Sequence, residues 1–316
     1  MKKLGTLLMA LCLLAALVGC SSETEKGPDY NVGVIQYVQH EALDKATNGF
    51  VEALTKAVEA DGKTVNIEVK NASNESANCT TIAADFLSNN VDLIMANATP
   101  ALLAAATATD STPILGTSIT VYDAAFDGTT PANVSGTSDL APLDKQAEMF
   151  NELLPEANTI GLLYCSAEKN SAYQIETIES YLTQMGKTCK RYSFAEASEL
   201  SMVVEQACQE VDAIYIPTDN TCAANTETIA NVVLPNNIPV IAGENGICTG
   251  CGIATLSIDY YDIGYATGLM AYEILVNGKS VSDMPVEFAP EFTYLYNPDN
   301  CAYFNIDVPS NYQPIE

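Results

Sequence analysis

Val32-Gly33-Val34-Ile35-Gln36-Tyr37, with the run Ala42 to Asp61 just beyond it, is the stretch whose reading decides the fold. The first segment is short and almost wholly apolar, as suits a buried strand. The second sets Ala46, Phe50, Leu54 and Val58 at helical spacing, so one face of a helix is apolar. Another strand-like run, Val65 to Val69, completes a β-α-β unit.

The alternation continues outward from there. A helix is predicted over Asn78 to Asn89, a strand over Val91 to Ala96, and a helix from Thr99-Pro100 through Thr107, with proline at an early position that needs no amide donor. Pro113 to Gly116 and Val134 to Thr137 read as short strands. The pattern then restarts. Helices are expected over Leu143 to Leu153, Ser171 to Met185, Ser198 to Glu210 and Asn225 to Leu234. Strands are expected over Thr159 to Tyr164, Thr188 to Tyr192, Ala213 to Pro217, Val240 to Ala242 and Ile253 to Ser257. Two successive series of this kind argue for an α/β protein of two doubly wound, Rossmann-like lobes with parallel sheets, built alike. Length agrees, because roughly 290 folded residues exceed what one core usually holds.

Ahead of this body, Lys2 and Lys3 precede an apolar stretch over residues 4–18, which closes on Leu17-Val18-Gly19-Cys20. That layout is a secretory signal, shorter than the roughly 20 residues a spanning helix needs. Its last four residues resemble a lipobox. Residues 1–19 are thus expected to be a lipoprotein signal peptide, Cys20 the lipidated residue, and 20–30 a polar tether. The expected location is extracytoplasmic, on the bacterial cell membrane, with the lipid as the membrane contact.

Composition narrows the partners. The chain carries 13 Lys and Arg against 40 Asp and Glu, a formal charge of -27. Losing residues 1–19 removes two lysines and makes the body more acidic still. Nucleic acid needs a basic surface and is excluded as a partner, and binding flat on anionic lipid is disfavoured. Beyond Cys12 and Cys20, eight cysteines remain. Cys165 and Cys208 fall in strand-like and helix-like runs, as buried thiols do. Cys248 and Cys251 lie among Gly246, Gly250 and Gly252, where a loop disulfide would fit. The only histidine, His40, is remote from them, so no metal site is expected.

Catalytic chemistry is hard to find. Gly278-Lys279-Ser280 lacks the upstream glycine of a phosphate loop, and no zinc-protease or serine-hydrolase motif occurs. A cleft hydrolase would have to recruit His40, and in so acidic a chain a pair of carboxylates arises by chance. No cofactor is implied. Parallel sheets place ligands at the carboxyl ends of strands, so the segments to read are Val38 to Asp44, Asn97 to Pro100, Ser118 to Asp123, Gly136 to Asp139, Cys165 to Ser171, Pro217 to Thr221, Gly243 to Gly246 and Asp259 to Asp262.

Ser135-Gly136-Thr137-Ser138-Asp139, Pro217-Thr218-Asp219-Asn220-Thr221 and Ile258-Asp259-Tyr260-Tyr261-Asp262-Ile263-Gly264 together resemble the ABC-transporter substrate-binding proteins of the tryptophan- and tyrosine-binding kind. His40 to Asp44, Asn97 to Ala101 and Lys169 to Ser171 add to the likeness, which extends from about Asn31 to Glu287. The resemblance implies a type I periplasmic-binding-protein fold, with two lobes joined by three crossings, that closes on a small ligand and docks on a permease and an ATPase. It implies no enzyme. The expected lobes are 31–139 with 263–290 and 140–262 with 291–316, and a monomer is expected. Departures from the pattern, such as Glu41 after His40 and Thr120-Val121-Tyr122-Asp123, lie at the expected cleft and bear on ligand identity.

An aromatic or other apolar amino acid is the ligand this implies. For its carboxylate the candidates are Thr99, Thr137 and Ser138, beside the helix start near Pro100. For its ammonium they are Asp219 and Asp259, with Asn220 adding a hydrogen bond. Asn170 and Ser171 are expected to contact it from the second lobe, and Tyr37, His40 and Tyr122 to line a side-chain pocket. Asp139 and Asn170 equally suit helix caps, Asp259 a structural role in a crossing, and Asp219-Asn220 an Asx turn. A sensor for a membrane receptor, or a binding protein for a sugar or nucleoside, are the alternatives.

Overall fold

The computed structural model describes residues 27–315; Leu17 to Cys20, and most of the tether with them, lie outside the described residues. The first series comprises β1 (Tyr30–Gln36), α1 (Glu41–Ala60), β2 (Val65–Asn71), α2 (Ser76–Ser88), β3 (Leu93–Asn97), α3 (Thr99–Ala108), β4 (Ile114–Ile119), α4 (Tyr122–Ala125) and β5 (Val134–Ser138). The second comprises α5 (Leu143–Leu153), β6 (Thr159–Cys165), α6 (Lys169–Gln184), β7 (Thr188–Phe194), α7 (Leu200–Cys208), β8 (Ala213–Ile216), α8 (Asn220–Ala223), α9 (Thr226–Val233), β9 (Val240–Ala242), α10 (Asn245–Cys251) and β10 (Ala254–Ser257). After them come α11 (Tyr260–Leu275), β11 (Glu287–Phe288), β12 (Thr293–Tyr296), α12 (Pro298–Phe304) and β13 (Gln313–Pro314).

These elements build two sheets. The first runs β11-β5-β4-β3-β1-β2, parallel throughout; the second runs β13-β12-β10-β9-β8-β6-β7, with β10 and β12 its antiparallel pair. The order β2-β1-β3-β4-β5 in one is matched by β7-β6-β8-β9-β10 in the other, so both are doubly wound and share a switch point beside their first strand. The chain passes between the sheets after β5, before α11 and after β11.

Burial explains the elements. β3 and β4 are buried along their whole length, as central parallel strands should be, whereas β2 at the edge alternates. α1 buries Leu43, Ala46, Phe50, Leu54 and Val58 along one stripe. It packs against α11 through glycines. A Cβ on Gly264 would lie 2.0 Å from the Ala46 carbonyl oxygen, and one on Gly49 would lie 2.2 Å from that of Tyr261.

One expectation is corrected here. The segment Gly243 to Gly252 is not a loop with a disulfide: Asn245 to Cys251 is helical, and Cys248 and Cys251 are separate, buried thiols. Glu244 caps the helix by accepting from the Gly246 amide at 2.6 Å and from that of Ile247. Ile247, Cys248 and Cys251 face the core, and burial pushes both thiols far above their ordinary pKa.

Candidate functional site

Where the carboxyl ends of the two sheets face each other, a small cavity is walled by His40 after β1, Ser118 in β4 and Asp139 after β5 from one side. Asn170 in α6, Thr218 to Asn220 after β8 and Glu244 after β9 close it from the other, with Tyr260 at its floor. Every one of these lies at or just past the end of a strand or the start of a helix, the position that doubly wound sheets give to ligands. Of the residues expected to bind, His40, Asn170, Asp219 and Asn220 meet here. Ser171 is buried against Asp219, to which it donates a hydrogen bond.

The others stand elsewhere. Thr137 Oγ1 is engaged with Thr117, Thr267 and the Ile263 carbonyl, and Ser138 Oγ donates to the Thr120 carbonyl at 2.9 Å. Tyr122 donates to the carbonyls of Gly116 and Thr137, and Tyr37 to that of Asn74. Thr99 opens α3, away from the cavity. Asp259 is exposed and caps α11 through the Tyr261 amide at 2.8 Å. A larger cavity of 680 Å³ beside Tyr122, Val134 and Phe288 is lined by β5, the edge strand β11 and the segments next to them, outside the space between the lobes.

Ser118, Asp139, Glu168, Glu244 and Tyr260 were not among the expected ligand residues. A signal existed for some of them, because Ser118, Asp139 and Glu244 lie at or just past strand ends; in the structure Ser118 also holds φ 57° without being glycine, a costly backbone state that clusters at functional sites. Glu168 sits just before α6 yet makes no cap to its own helix.

The electrostatics of the site are one-sided. Asp139, Glu168, Asp219 and Glu244 are all buried, and neither lysine nor arginine lines the cavity. Burial raises the Asp139 carboxyl to about 6 and that of Glu244 to about 7. Burial and then the charge of Asp219 raise Glu168, and burial raises Asp219 in turn. His40 is lowered by burial and so is neutral. Polar atoms also go unpaired: His40 Nδ1, Ser118 Oγ and Asn170 Oδ1 are buried without a hydrogen-bond partner. A buried acceptor left unpaired is costly, and the group that would relieve this set is a donor carrying positive charge.

The lobes touch across this site. His40 Nε2 lies 3.3 Å from Asn220 Oδ1, Asn74 Nδ2 donates to Thr221 Oγ1 at 3.2 Å, and Gln174 Nε2 donates to Thr120 Oγ1 at 3.1 Å. Lys169 reaches Asp127 at 2.9 Å from the opposite lobe, an exposed pair of small worth. The space enclosed is 10 Å³, about one water's worth.

Comparison with known proteins places this geometry. A family model described as ABC transporter substrate binding protein matches residues 31–312. The chain is 34% identical to a tyrosine-binding protein of Clostridioides difficile, over 94% of this chain and 91% of that one. A domain from Streptococcus pneumoniae solved in complex with L-Trp superposes with a TM-score of 0.83 at 30% identity, covering 88% of this chain and 96% of that one. The ligand-free, open structure of a substrate binding protein with adhesive properties from Clostridium difficile gives 0.68 at 35% identity, covering 91% and 99%. The chain thus superposes better on the ligand-bound structure than on the open one, despite lower identity to it. That agrees with lobes in contact.

Proposed function

The chain belongs to the family of ABC transporter substrate-binding proteins, and from that premise we propose that it captures an aromatic amino acid between its lobes, held at the membrane by a lipid on Cys20. Members of this family are extracytoplasmic, bind small molecules without transforming them and work with transporter components. The fold is the type I periplasmic-binding-protein fold. No helix among the described residues is long and apolar enough to cross a membrane.

One observation carries the choice of an amino acid: buried carboxylates surround the interlobe cavity, and among its lining residues there is no lysine or arginine to neutralise them. An ammonium group answers that need, and charges so buried are stable only when paired. Asp219, Glu244 and Asp139 are the groups nearest to hand. The hydroxyl of Ser118, unpaired and facing the cavity, is the donor for a carboxylate, since those of Thr137 and Ser138 are already engaged. The names of the tyrosine-binding relative and the L-Trp complex support an aromatic side chain.

Small-molecule sites enclose roughly 300 to 1,000 Å³, so the lobes must part from the present contact to admit such a ligand. Reclosing on it gives the permease and ATPase a form to recognise, a ligand-driven shift of population. Calorimetry with the amino acids, sugars and nucleosides is the test. Binding of tyrosine or tryptophan supports the proposal, and a response confined to sugars or nucleosides would overturn it.

A further inference from the structure

Glu168 is hydrogen-bonded to Asn220 and Thr221, two of the residues that reach across to the other lobe. Its Oε2 accepts from the Asn220 backbone amide at 3.1 Å and from Asn220 Nδ2 at 2.6 Å. Its Oε1 accepts from the Thr221 amide at 3.0 Å and from Thr221 Oγ1 at 2.9 Å. The consequence for Asn220 is specific. When ionised, the Glu168 carboxylate offers only lone pairs, so the carboxamide turns its NH₂ toward Glu168 and its oxygen away.

That oxygen faces His40 Nε2 at 3.3 Å. An oxygen acceptor demands a proton on Nε2, and a neutral imidazole has only one, so Nδ1 is left as a bare acceptor. Burial keeps the ring neutral, and Nδ1 is buried without a partner in the wall of the cavity. Asn170 behaves in the same way: its NH₂ donates to the Thr218 carbonyl at 2.9 Å, leaving Oδ1 unpaired. Asn170 is 7% exposed, so that acceptor too is shut away from water.

We propose that, once the lobes have reclosed on the ligand and His40 and Asn220 meet again, Glu168, through the Asn220 carboxamide, fixes His40 as its Nε2–H tautomer, and that His40 Nδ1 accepts a hydrogen bond from the ligand's ammonium group. Glu168 is a positioning residue and His40 the residue that reads the donor. The assignment rests on the amino-acid reading above. It adds a selectivity rule, because a ligand with an acceptor at that place would face a lone pair.

His40 is the only histidine in the chain, so ¹⁵N spectra of the mature protein without a histidine tag report a single imidazole. In protein saturated with L-tyrosine or L-tryptophan, the expected result is a proton on Nε2 and a hydrogen-bonded, unprotonated Nδ1. Glu168→Gln should lose that signature and bind roughly tenfold to hundredfold more weakly. On a His40→Ala background the same substitution should cost nothing further, which a general structural role would not predict. Should Glu168→Gln fail to fold, Asn220→Ala cuts the relay at its next link and carries the same expectation. A saturated protein with its proton on Nδ1, or an undiminished penalty on the His40→Ala background, would overturn the relay while leaving the amino-acid reading intact. Failure of every amino acid to bind the unaltered protein would overturn that reading and the ammonium assignment with it.

Discussion

The hydroxyl of Tyr260 donates to the carboxylate of Asp139 at 3.1 Å. These residues flank two of the passages between sheets: Asp139 follows β5 as the chain leaves the first sheet, and Tyr260 opens α11 as it returns. Both are buried, and the Tyr260 hydroxyl is raised far above its ordinary pKa by burial and by the charge of Asp139. Thr120 Oγ1 adds a longer bond to Asp139 at 3.3 Å. Tyr260→Phe should therefore leave a buried carboxyl with this weaker partner and lower stability by about 1 to 3 kcal/mol. Urea unfolding measures it; an unchanged midpoint would show that the bond contributes nothing net.

Stability should also depend on pH in an unusual direction. Asp139 is raised to about 6 from 3.8 and Glu244 to about 7 from 4.5, both chiefly by burial. A folded-state pKa above the unfolded one means that stability is fully present below the unfolded value and is lost as pH rises through the folded value. His40, lowered by burial, acts in the opposite sense as pH falls below about 6.5. Between pH 6.5 and 8.5 the acids dominate, so the melting temperature of the unliganded protein should fall. Glu244→Gln should flatten the slope, and a melting temperature that rises across this window would contradict the buried-acid account.

Ligand binding should reverse that trend. An ammonium group favours ionised carboxylates, so binding should release protons near pH 6.5 and tighten as pH rises toward 8. Calorimetry in buffers of different ionisation heat counts those protons. The analogue of tyrosine that keeps the phenol and carboxylate but lacks the amine should bind at least tenfold more weakly, since a charged hydrogen bond contributes about 1.5 to 3 kcal/mol. Equal affinity for the two would mean that the acids do not face the amine.

How much of this was legible in the sequence varied with the distance over which the information lies. The stripe of Phe50, Leu54 and Val58 is local, and α1 forms where that spacing places it. The carboxyl ends of the strands were identifiable because parallel sheets direct them to one edge, and four of the expected ligand residues meet there. Glu168 was not legible. A residue just before a helix usually caps it, whereas this carboxylate turns to α8, which follows β8; β8 adjoins β6 only through the crossover order of the sheet. Thr137 and Ser138 read as free hydroxyls at a strand end, but α11 covers β5 and takes the Thr137 hydroxyl for its own contacts. Gly250 lies in a helix because only glycine fits there: a Cβ would come within 2.2 Å of Thr226 Oγ1. Such close approach leaves no mark in composition.

Gly264 gives a prediction of the same origin. Its Cβ would meet the Ala46 carbonyl at 2.0 Å, and that atom is backbone inside α1, so neither side can yield without separating two helices. Gly264→Ala should destabilise by several kcal/mol, within the range of severe core overpacking. A melting temperature for Gly264→Ala within a degree of the parent would show that α1 and α11 are not held at this separation.

Cys20→Ala separates anchoring from capture. If the lipid serves only to hold the body beside its transporter, the purified variant should bind tyrosine or tryptophan with unchanged affinity, because the residues that line the interlobe cavity run from His40 to Tyr260. Retention at the membrane should be lost, since acyl chains supply about 0.8 kcal/mol per buried methylene and the net negative charge of the chain disfavours binding to anionic lipid. Uptake should then fall in proportion to the lost local concentration and recover when the variant is supplied in excess. Fractionation, calorimetry and uptake of labelled amino acid read the three effects separately. Weakened binding by the purified variant would place part of the ligand site in the N-terminal segment, and full retention would show that something other than Cys20 holds the protein there.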